Sequence, residues 1–223
     1  MANLVITIDG PAASGKSTVA RLLAQRLDAG FLDTGAMYRA VTLAAMQACV
    51  DLKDQKQLLS VLENCDFEFS IEAAQITVSI DGEDATQQIR QPEVTKNAHY
   101  IASAPDVRQK LVQMQRDFAD KQKKIVTEGR DQGTVAFGDA NYKFFLTADP
   151  LERAKRRHAE LKTKGIDENL ENICKAIDKR DKSDQNRTTG PLKPADDAII
   201  VDTTNLGIEQ VVEKLLDYIS TDD

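Results

Sequence analysis

A glycine-rich segment directly after an apolar run is the feature that most constrains the fold of this chain. The apolar run is Leu4–Ile8, and the segment that follows it, Gly10–Thr18, reads GPAASGKST. The spacing G-x-x-x-x-G-K-S/T predicts a strand, a phosphate-binding loop and then a helix. Glycines let backbone N–H groups turn inward around a phosphate, and the N-terminus of the following helix adds its positive dipole end. The sequence therefore predicts an α/β protein that holds a nucleotide phosphate at this loop.

The residues of this phosphate loop have separate predicted roles. Lys16 offers a mobile positive charge to the β- and γ-phosphates, and the hydroxyl of Ser17 can ligate Mg²⁺. We therefore predict that Lys16 is catalytic, that Ser17 binds the metal, and that ATP and Mg²⁺ are the cofactors. The predicted ATP-binding residues of the loop are Gly10, Pro11, Ala12, Ala13, Ser14, Gly15, Lys16, Ser17 and Thr18.

Composition excludes several other classes of protein. The chain has 223 residues, 41% hydrophobic and 29% charged, which suits one soluble domain with subdomain insertions or two small domains. Its net charge of −7 argues against non-specific nucleic-acid binding, and no run of 18 apolar residues predicts a membrane span. We expect no signal peptide, because the first predicted strand starts at Leu4 with no basic region before it, and we expect the three widely spaced cysteines to be reduced. We expect a cytoplasmic protein.

Strand and helix patterns alternate along most of the chain, which predicts a parallel sheet with right-handed crossovers. Residues 66–90 differ, because two runs there alternate with period two and end at the turn signal Asp81-Gly82. The predicted strands of the parallel sheet are 4–8, 31–32, 125–127, 142–146 and 198–201. The predicted helices are 17–27, 37–49, 55–64, 92–104, 106–122, 151–164, 169–180 and 208–218.

Several arginines come just after predicted strands or in nearby loops. They are Arg39, Arg130, Arg153, Arg156, Arg157, Arg180 and Arg187. Taken singly, each is more often a solvated surface charge than a ligand contact. Together they favour phosphate binding, because ligands sit beyond the carboxyl ends of open parallel sheets and arginine binds phosphate bidentately. The basic stretch 153–157 suits a lid over ATP; the alternative is an exposed helix with ion pairs to Glu152 and Glu160.

Four segments together identify a family. Beside the phosphate loop these are 33–39 (DTGAMYR), 128–135 (EGRDQGTV) and 180–187 (RDKSDQNR). Over essentially its whole length the chain resembles the bacterial cytidylate kinases of the nucleoside monophosphate kinase family. That resemblance implies ATP-dependent phosphorylation of CMP and dCMP to the diphosphates by direct, Mg²⁺-assisted phosphoryl transfer, in a monomer whose partners are these small molecules.

The resemblance also implies the organisation of the fold. We expect a P-loop three-layer α/β fold with a central parallel sheet, a small antiparallel β insertion and a helical lid, all within one kinase domain over 1–223. The core would comprise about 1–36, 94–150 and 168–223. The monophosphate-binding insert would comprise about 37–93, and the lid about 151–167.

Site roles follow from the same resemblance, position by position. The implied catalytic arginines are Arg130, Arg157 and Arg187, and Arg153 would contact ATP. The implied substrate-binding residues are Asp33, Thr34, Arg39, His99, Arg108, Arg130, Asp131, Arg180, Asp184 and Arg187. Among them, Arg108 and Asp131 would read cytosine and Asp184 would contact the ribose. The chain departs from the family pattern at Thr34 and His99, where serines are expected, and at Glu128, where Asp is also common.

Two other functions remain open from the residues. One is a P-loop kinase for a different small metabolite, and the other is a nucleotide-dependent switch or motor-type NTPase. A guanine-binding switch would carry an N-K-x-D stretch, which the sequence lacks. In a kinase for a monophosphate the attacking oxygen is already ionised, so catalysis would rest on positioning and charge without a general base.

Overall fold

The computed structural model describes residues 4–72, 75–163 and 165–220. In chain order the elements are β1 (Leu4–Asp9), α1 (Lys16–Arg26), β2 (Gly30–Asp33), α2 (Thr34–Gln47), α3 (Gln55–Asn64), β3 (Phe67–Glu72), β4 (Gln75–Ile80), β5 (Glu83–Asp84), α4 (Pro92–Ala102), α5 (Pro105–Asp120), β6 (Lys124–Gly129), β7 (Tyr142–Thr147), α6 (Pro150–Thr163), α7 (Leu170–Gln185), β8 (Ile199–Asp202) and α8 (Ile208–Ser220).

The central sheet confirms the predicted parallel architecture. Its strand order is β2-β6-β1-β7-β8, and every neighbouring pair is parallel. The register places Ile8 and Asp33 opposite Glu128, and Asp9 opposite Gly129. The carboxyl ends of β1, β2 and β6 therefore meet at one edge of the sheet, where ligands bind in folds of this type.

Helices cover both faces of the sheet, as the predicted three-layer fold requires. Ile6 and Ile8 of β1 pack with Val19 and Leu23 of α1 and with Leu215 of α8. The other face forms a larger core in which residues from α2, α4 and α5 pack against the sheet. Neighbouring residues of β6 alternate between the two cores, because side chains of a strand point to opposite faces in turn.

The predicted β insertion is a three-stranded antiparallel sheet of order β3-β4-β5. Asp81 and Gly82 both adopt positive φ angles, 52° and 81°, in the turn between β4 and β5. Ile76, Val78 and Ile80 of β4 are buried in the same core as α2. The insertion thus packs directly onto the main body. Residues 73 and 74 of this insertion lie outside the described part of the chain, as does Lys164 within the predicted lid.

Two helices differ from the sequence prediction by more than two residues at one end. Helix α2 begins at Thr34, three residues before the predicted start, because the Asp33 side chain accepts the N–H of Ala36 at 3.1 Å and caps the helix. Helix α7 continues to Gln185, past the predicted end at 180, and an Asp178–Lys182 pair at 2.8 Å spans that extension. Residues 181–185, predicted as a polar loop, are therefore helical.

The predicted boundary between core and insert, at about residue 37, falls inside α2. The buried side chains of α2 also pack in the core shared with the insertion. Among the described residues, no helix is long and apolar enough to cross a membrane.

Candidate active site

The phosphate loop connects β1 to α1 at the carboxyl edge of the sheet. Gly15 lies immediately before α1 with φ of 88°, in the left-handed region where glycine is favoured. Ala13 also has a positive φ, 58°. The N–H of Ala12 donates to the Asp181 carboxylate at 3.2 Å, so this N–H is engaged by α7 and is not turned toward the inside of the loop. Ala12 was predicted to bind ATP with the rest of the loop, but in this structure its N–H is not one of the phosphate donors.

Lys16 and Glu128 are two buried titratable residues close to the loop; each is 5% exposed. The Lys16 ammonium donates to the backbone oxygen of Pro11 at 3.1 Å. Burial, together with the positive charge of Arg130, lowers the pKa of Lys16 to about 7. Burial and the negative charge of Asp33 raise the pKa of Glu128, and Lys16 opposes that rise. Incoming phosphates would restore the charge of Lys16.

The Ser17 hydroxyl and the Glu128 carboxylate lie side by side. The Ser17 hydroxyl donates to Glu128 Oε1 at 2.8 Å. Hydroxyl and carboxylate oxygens suit Mg²⁺, which takes few protein ligands when substrate phosphates and water complete its octahedron. In the described residues no group of three or more His, Cys, Asp or Glu side chains is arranged to hold a metal. The residues present fit a phosphate-bound Mg²⁺ and do not form an all-protein metal cage.

The start of α2 lies directly beside β6. The Thr34 hydroxyl donates to the backbone oxygen of Glu128 at 2.8 Å, so this predicted substrate residue is also tied to the sheet edge. Asp33 caps α2 and pairs with Arg39 at 3.0 Å. The Nε of Arg39 is buried and, within the described ranges, makes no hydrogen bond. An unsatisfied buried cationic donor at a ligand edge indicates a site for an anion.

A cluster of charged residues joins β6 to the end of α7. Arg130 Nε donates to Asp184 Oδ2 at 2.8 Å, and Arg187 Nη2 lies 3.9 Å from Asp184 Oδ1. Burial works against ionisation of Asp184, but the charges of Arg130 and Arg187 outweigh it and lower its pKa. The nearby charge of Arg130 is the largest cause that lowers the pKa of Arg180 to about 10. The mutual repulsion of these arginines would be relieved by a bound polyanion.

The two predicted cytosine readers are in contact with each other. Arg108 Nη2 donates to Asp131 Oδ2, and both side chains are buried, 2% and 6% exposed. Arg108 also lies over the Tyr38 ring, 5.5 Å from its centroid. Gly190, with φ of 60°, covers the pair, and a Cβ at Gly190 would overlap both Asp131 Oδ2 and Arg108 Nη2. The pair is therefore pre-organised, and in this structure the backbone of Gly190 lies against it.

The predicted substrate residue His99 is exposed on α4. Its Nδ1 lies 2.8 Å from the backbone oxygen of Lys96, and its ring packs on Tyr100. A cavity of about 500 Å³ between the end of α4 and α7 is lined by Ser103 and by Arg187, Thr188 and Thr189. The sequence did not predict that Ser103, a polar residue of the α4–α5 turn, lines this cavity. The only signal for it in the sequence was its place in that turn.

The arginines of α6 are not equivalent. Arg153 is 6% exposed and donates to the Ala12 backbone oxygen at 3.0 Å, and Arg156 donates to the Thr203 hydroxyl at 3.1 Å. The ion pairs of the alternative also form on the helix: Arg156 Nε lies 3.8 Å from Glu152, and Arg157 pairs with Glu160 at 2.7 Å. Two of the predicted lid arginines are thus anchored to the main body.

Asp9 is a further residue that sequence reasoning missed. It ends β1 just before Gly10, and its two carboxylate oxygens accept the N–H groups of Gln132 and Gly133 at 2.9 and 2.8 Å. These bonds fix the turn that carries Arg130 and Asp131. The signal in the sequence was a single acidic residue at the end of an otherwise apolar strand. Such a residue is equally typical of a strand end that has no role in a site.

The fold and this site together define a P-loop phosphotransferase: a parallel sheet whose first strand leads through a phosphate loop into a helix, with an arginine cluster beside it. The chain belongs to the cytidylate kinase family, whose family model matches residues 6–221. It is 46% identical over 217 residues to "Cytidylate kinase" of Mannheimia succiniciproducens, covering 97% of this chain and 96% of that protein.

A second relative agrees with this family assignment, and a solved structure shares the fold alone. The chain is 45% identical over 217 residues to "Cytidylate kinase" of Caldicellulosiruptor saccharolyticus, again covering 97% of this chain and 96% of the relative. Among solved structures, an uncharacterized protein from Eubacterium ventriosum shares the fold with a TM-score of 0.54 at 15% identity, covering 97% of this chain and 98% of the other.

Proposed function

We propose that this chain transfers the γ-phosphate of ATP to CMP or dCMP and releases ADP and the corresponding diphosphate. The observation that carries the proposal is the cluster of Arg130, Asp184 and Arg187, which lies at the sheet edge next to the phosphate loop. Membership of the cytidylate kinase family supports the pyrimidine acceptor. The resemblance noted above supplies dCMP as the second acceptor.

The chain's own residues would act by positioning and charge. Lys16 would bind the β- and γ-phosphates of ATP, and Arg130 and Arg187 would hold the phosphates being joined while negative charge spreads over the transferring group. Arg39 and Arg180 would neutralise the acceptor phosphate, and Arg157 would reach the reacting phosphates when the lid closes. No residue needs to remove a proton, because the acceptor phosphate oxygen attacks in ionised form.

Mg²⁺ would be held by Ser17, with Glu128 beside it, and would neutralise charge on the phosphates of ATP when bound. The 2.8 Å hydrogen bond between these two side chains supports this assignment, because a metal ligand is commonly oriented by a hydrogen-bonded neighbour.

Base selection would rest on Arg108 and Asp131. Burial raises the pKa of Asp131, and the positive charge of Arg108 opposes that rise. In its ionised form Asp131 would accept a hydrogen bond from the 4-amino group of cytosine and repel the 4-carbonyl of uracil. Arg108 donates to the N3 and O2 acceptors of cytosine, whereas N3 of uracil carries a hydrogen. The burial of this pair supports the assignment, since a site of buried polar groups rejects an analogue that leaves them unpaired.

The proposed setting is a monomer in the cytoplasm with nucleotides as its only partners. The three cysteines are free thiols, in keeping with a reducing compartment. We also propose that the chain is divided into a core, a monophosphate-binding insert and a lid, with the boundaries given above.

A phosphate-transfer assay with a panel of acceptors tests the proposed function. ADP formation from ATP and Mg²⁺ would be followed with CMP, dCMP, UMP, AMP, shikimate and water alone. We expect rapid turnover with CMP and dCMP, much slower turnover with UMP and poor turnover with AMP. Turnover with a different metabolite alone would favour the other kinase, and acceptor-independent hydrolysis would favour a switch NTPase.

A further inference from the structure

Asp181 occupies a central position in α7 that the proposed chemistry does not use. Its neighbours Arg180 and Asp184 lie four residues apart on the helix face that joins the arginine cluster. Asp181 follows Arg180 by about 100° of helix rotation and therefore faces a different neighbour. Its Oδ1 accepts the N–H of Ala12 at 3.2 Å, so one helix contacts the candidate acceptor site and the phosphate loop at once.

Arg153 completes this contact from α6. Its Nη1 donates to Asp181 Oδ2 and to the backbone oxygen of Ala12 at 3.0 Å, and its Nε donates to the backbone oxygen of Ala148 at 3.1 Å. The N–H and the C=O of Ala12 are thus both held by charged side chains, one from each helix. Arg153 and Asp181 are 6% and 8% exposed.

Stability alone is a weak reason for such a pair. Removing two charges from water costs several kcal/mol per ion, and a well-packed apolar pair of similar volume is often equally stable or more so. An apolar pair, however, could not bond both backbone groups of Ala12. The pair therefore provides directional contacts that fix one residue of the phosphate loop relative to α7.

We propose that the Arg153–Asp181 pair is a positioning device that couples the two nucleotide sites, so that ATP and the acceptor strengthen each other's binding. A shift of α7 when Arg180 and Asp184 engage an acceptor moves Asp181, and Asp181 moves Ala12 and the loop. The coupling is positive because each ligand favours the same arrangement of α7. It is also reciprocal by thermodynamic necessity, so each ligand changes the affinity for the other by the same factor. This inference rests on the proposed function, since it takes CMP as the acceptor.

Calorimetry on the full chain tests the coupling. The Kd of a non-hydrolysable ATP analogue is measured with and without saturating CMP, and the Kd of CMP with and without the analogue. For the wild type we expect CMP to tighten analogue binding by a factor within the usual range of about 5 to 150. In Asp181→Asn the Kd of CMP alone should stay near the wild-type value, while most of the coupling factor is lost, a fall of at least about fivefold.

Two further variants make the result decisive. Asp178→Asn removes an exposed ion pair with Lys182 on the same helix and should leave the coupling factor unchanged. Arg153→Lys keeps the charge but loses the guanidinium fork, and it should lower the coupling factor even if Asp181→Asn does not fold.

The outcomes that contradict the inference differ from those that contradict the proposed function. A wild type that phosphorylates CMP but shows no coupling, or a coupling factor in Asp181→Asn or Arg153→Lys equal to that of the wild type, would overturn the coupling alone. A wild type that transfers no phosphate to CMP would overturn the proposed function, and this inference with it.

Discussion

At the scale of single residues, Lys16 shows how a binding group can oppose the stability of the fold. Its charged form is buried and its pKa is lowered to about 7, so the free protein gains nothing from its charge. Lys16→Met should therefore leave the free energy of unfolding at pH 8 unchanged or higher. It should reduce kcat for CMP by at least about 10²-fold, since one preorganised charge at a transition state is worth that much.

The matched control for this prediction is Lys56→Met, which removes an exposed lysine of α3. It should change neither kcat nor stability. A folded Lys16→Met enzyme with near-normal turnover would contradict the catalytic role of Lys16, whatever its KM for ATP.

Asp131 carries the second prediction at this scale. Asp131→Asn preserves the size of the side chain, but its amide can donate as well as accept, so the 4-carbonyl of uracil gains a partner. We expect the ratio of kcat/KM for CMP to that for UMP to fall by about 10²-fold. Steady-state kinetics with both nucleotides measures it. A lower melting temperature with an unchanged ratio would instead show that Asp131 serves only to hold Arg108 and the turn.

At the scale of elements, α6 divides into an anchored and an exposed part. Arg153 and Arg156 tie its first two turns to Ala12 and Thr203, whereas Arg157 bonds only along the helix surface. In the free enzyme we expect amide hydrogens of 157–163 and 165–167 to exchange faster than those of 150–156. CMP with an ATP analogue should slow exchange in the faster part, because the arginines of a closed lid contact phosphates that are absent before binding.

Arg157→Ala complements this exchange experiment. It should lower kcat more than it weakens CMP binding, since its phosphate contact forms mainly in the closed state. Helix α8, on the far face of the sheet from α2, provides an internal control whose exchange should not respond. Equal exchange with and without ligands, together with a pure KM effect, would identify residues 157–163 as an ordinary solvated helix end.

The elements also show what the sequence could predict. The run Leu4–Ile8, the phosphate loop and the insertion were predictable because strand periodicity and turn chemistry are local. The full length of α7 was not, since residues 180–185 are polar and are stabilised by partners distant in sequence, such as Arg130. The role of Arg153 was hidden for the same reason: a basic stretch on a helix looks alike whether its arginines reach a ligand or the backbone of Ala12.

At the scale of the whole molecule, the site withdraws several charges from water at once, and this couples stability to pH. Asp9 is the clearest case: it is 4% exposed, and burial raises its pKa from 3.8 to about 7 against the two backbone N–H groups that it accepts. The raised pKa means that the folded protein holds a proton that the unfolded chain has already lost. The contribution of Asp9 to stability is therefore present in full below pH 4 and is lost as the pH rises to about 7.

Asp9→Asn isolates this contribution, because asparagine does not titrate. The difference in unfolding free energy between the variant and the wild type should move in favour of the variant by about 4 kcal/mol between pH 4 and pH 8, since each pKa unit is worth about 1.4 kcal/mol. Urea unfolding across this range measures it, and parallel curves would contradict the prediction.

The same variant places an amide N–H₂ against the N–H of Gln132 or Gly133. It should thus loosen the turn that carries Arg130 and Asp131 and lower kcat/KM for CMP even where stability is regained.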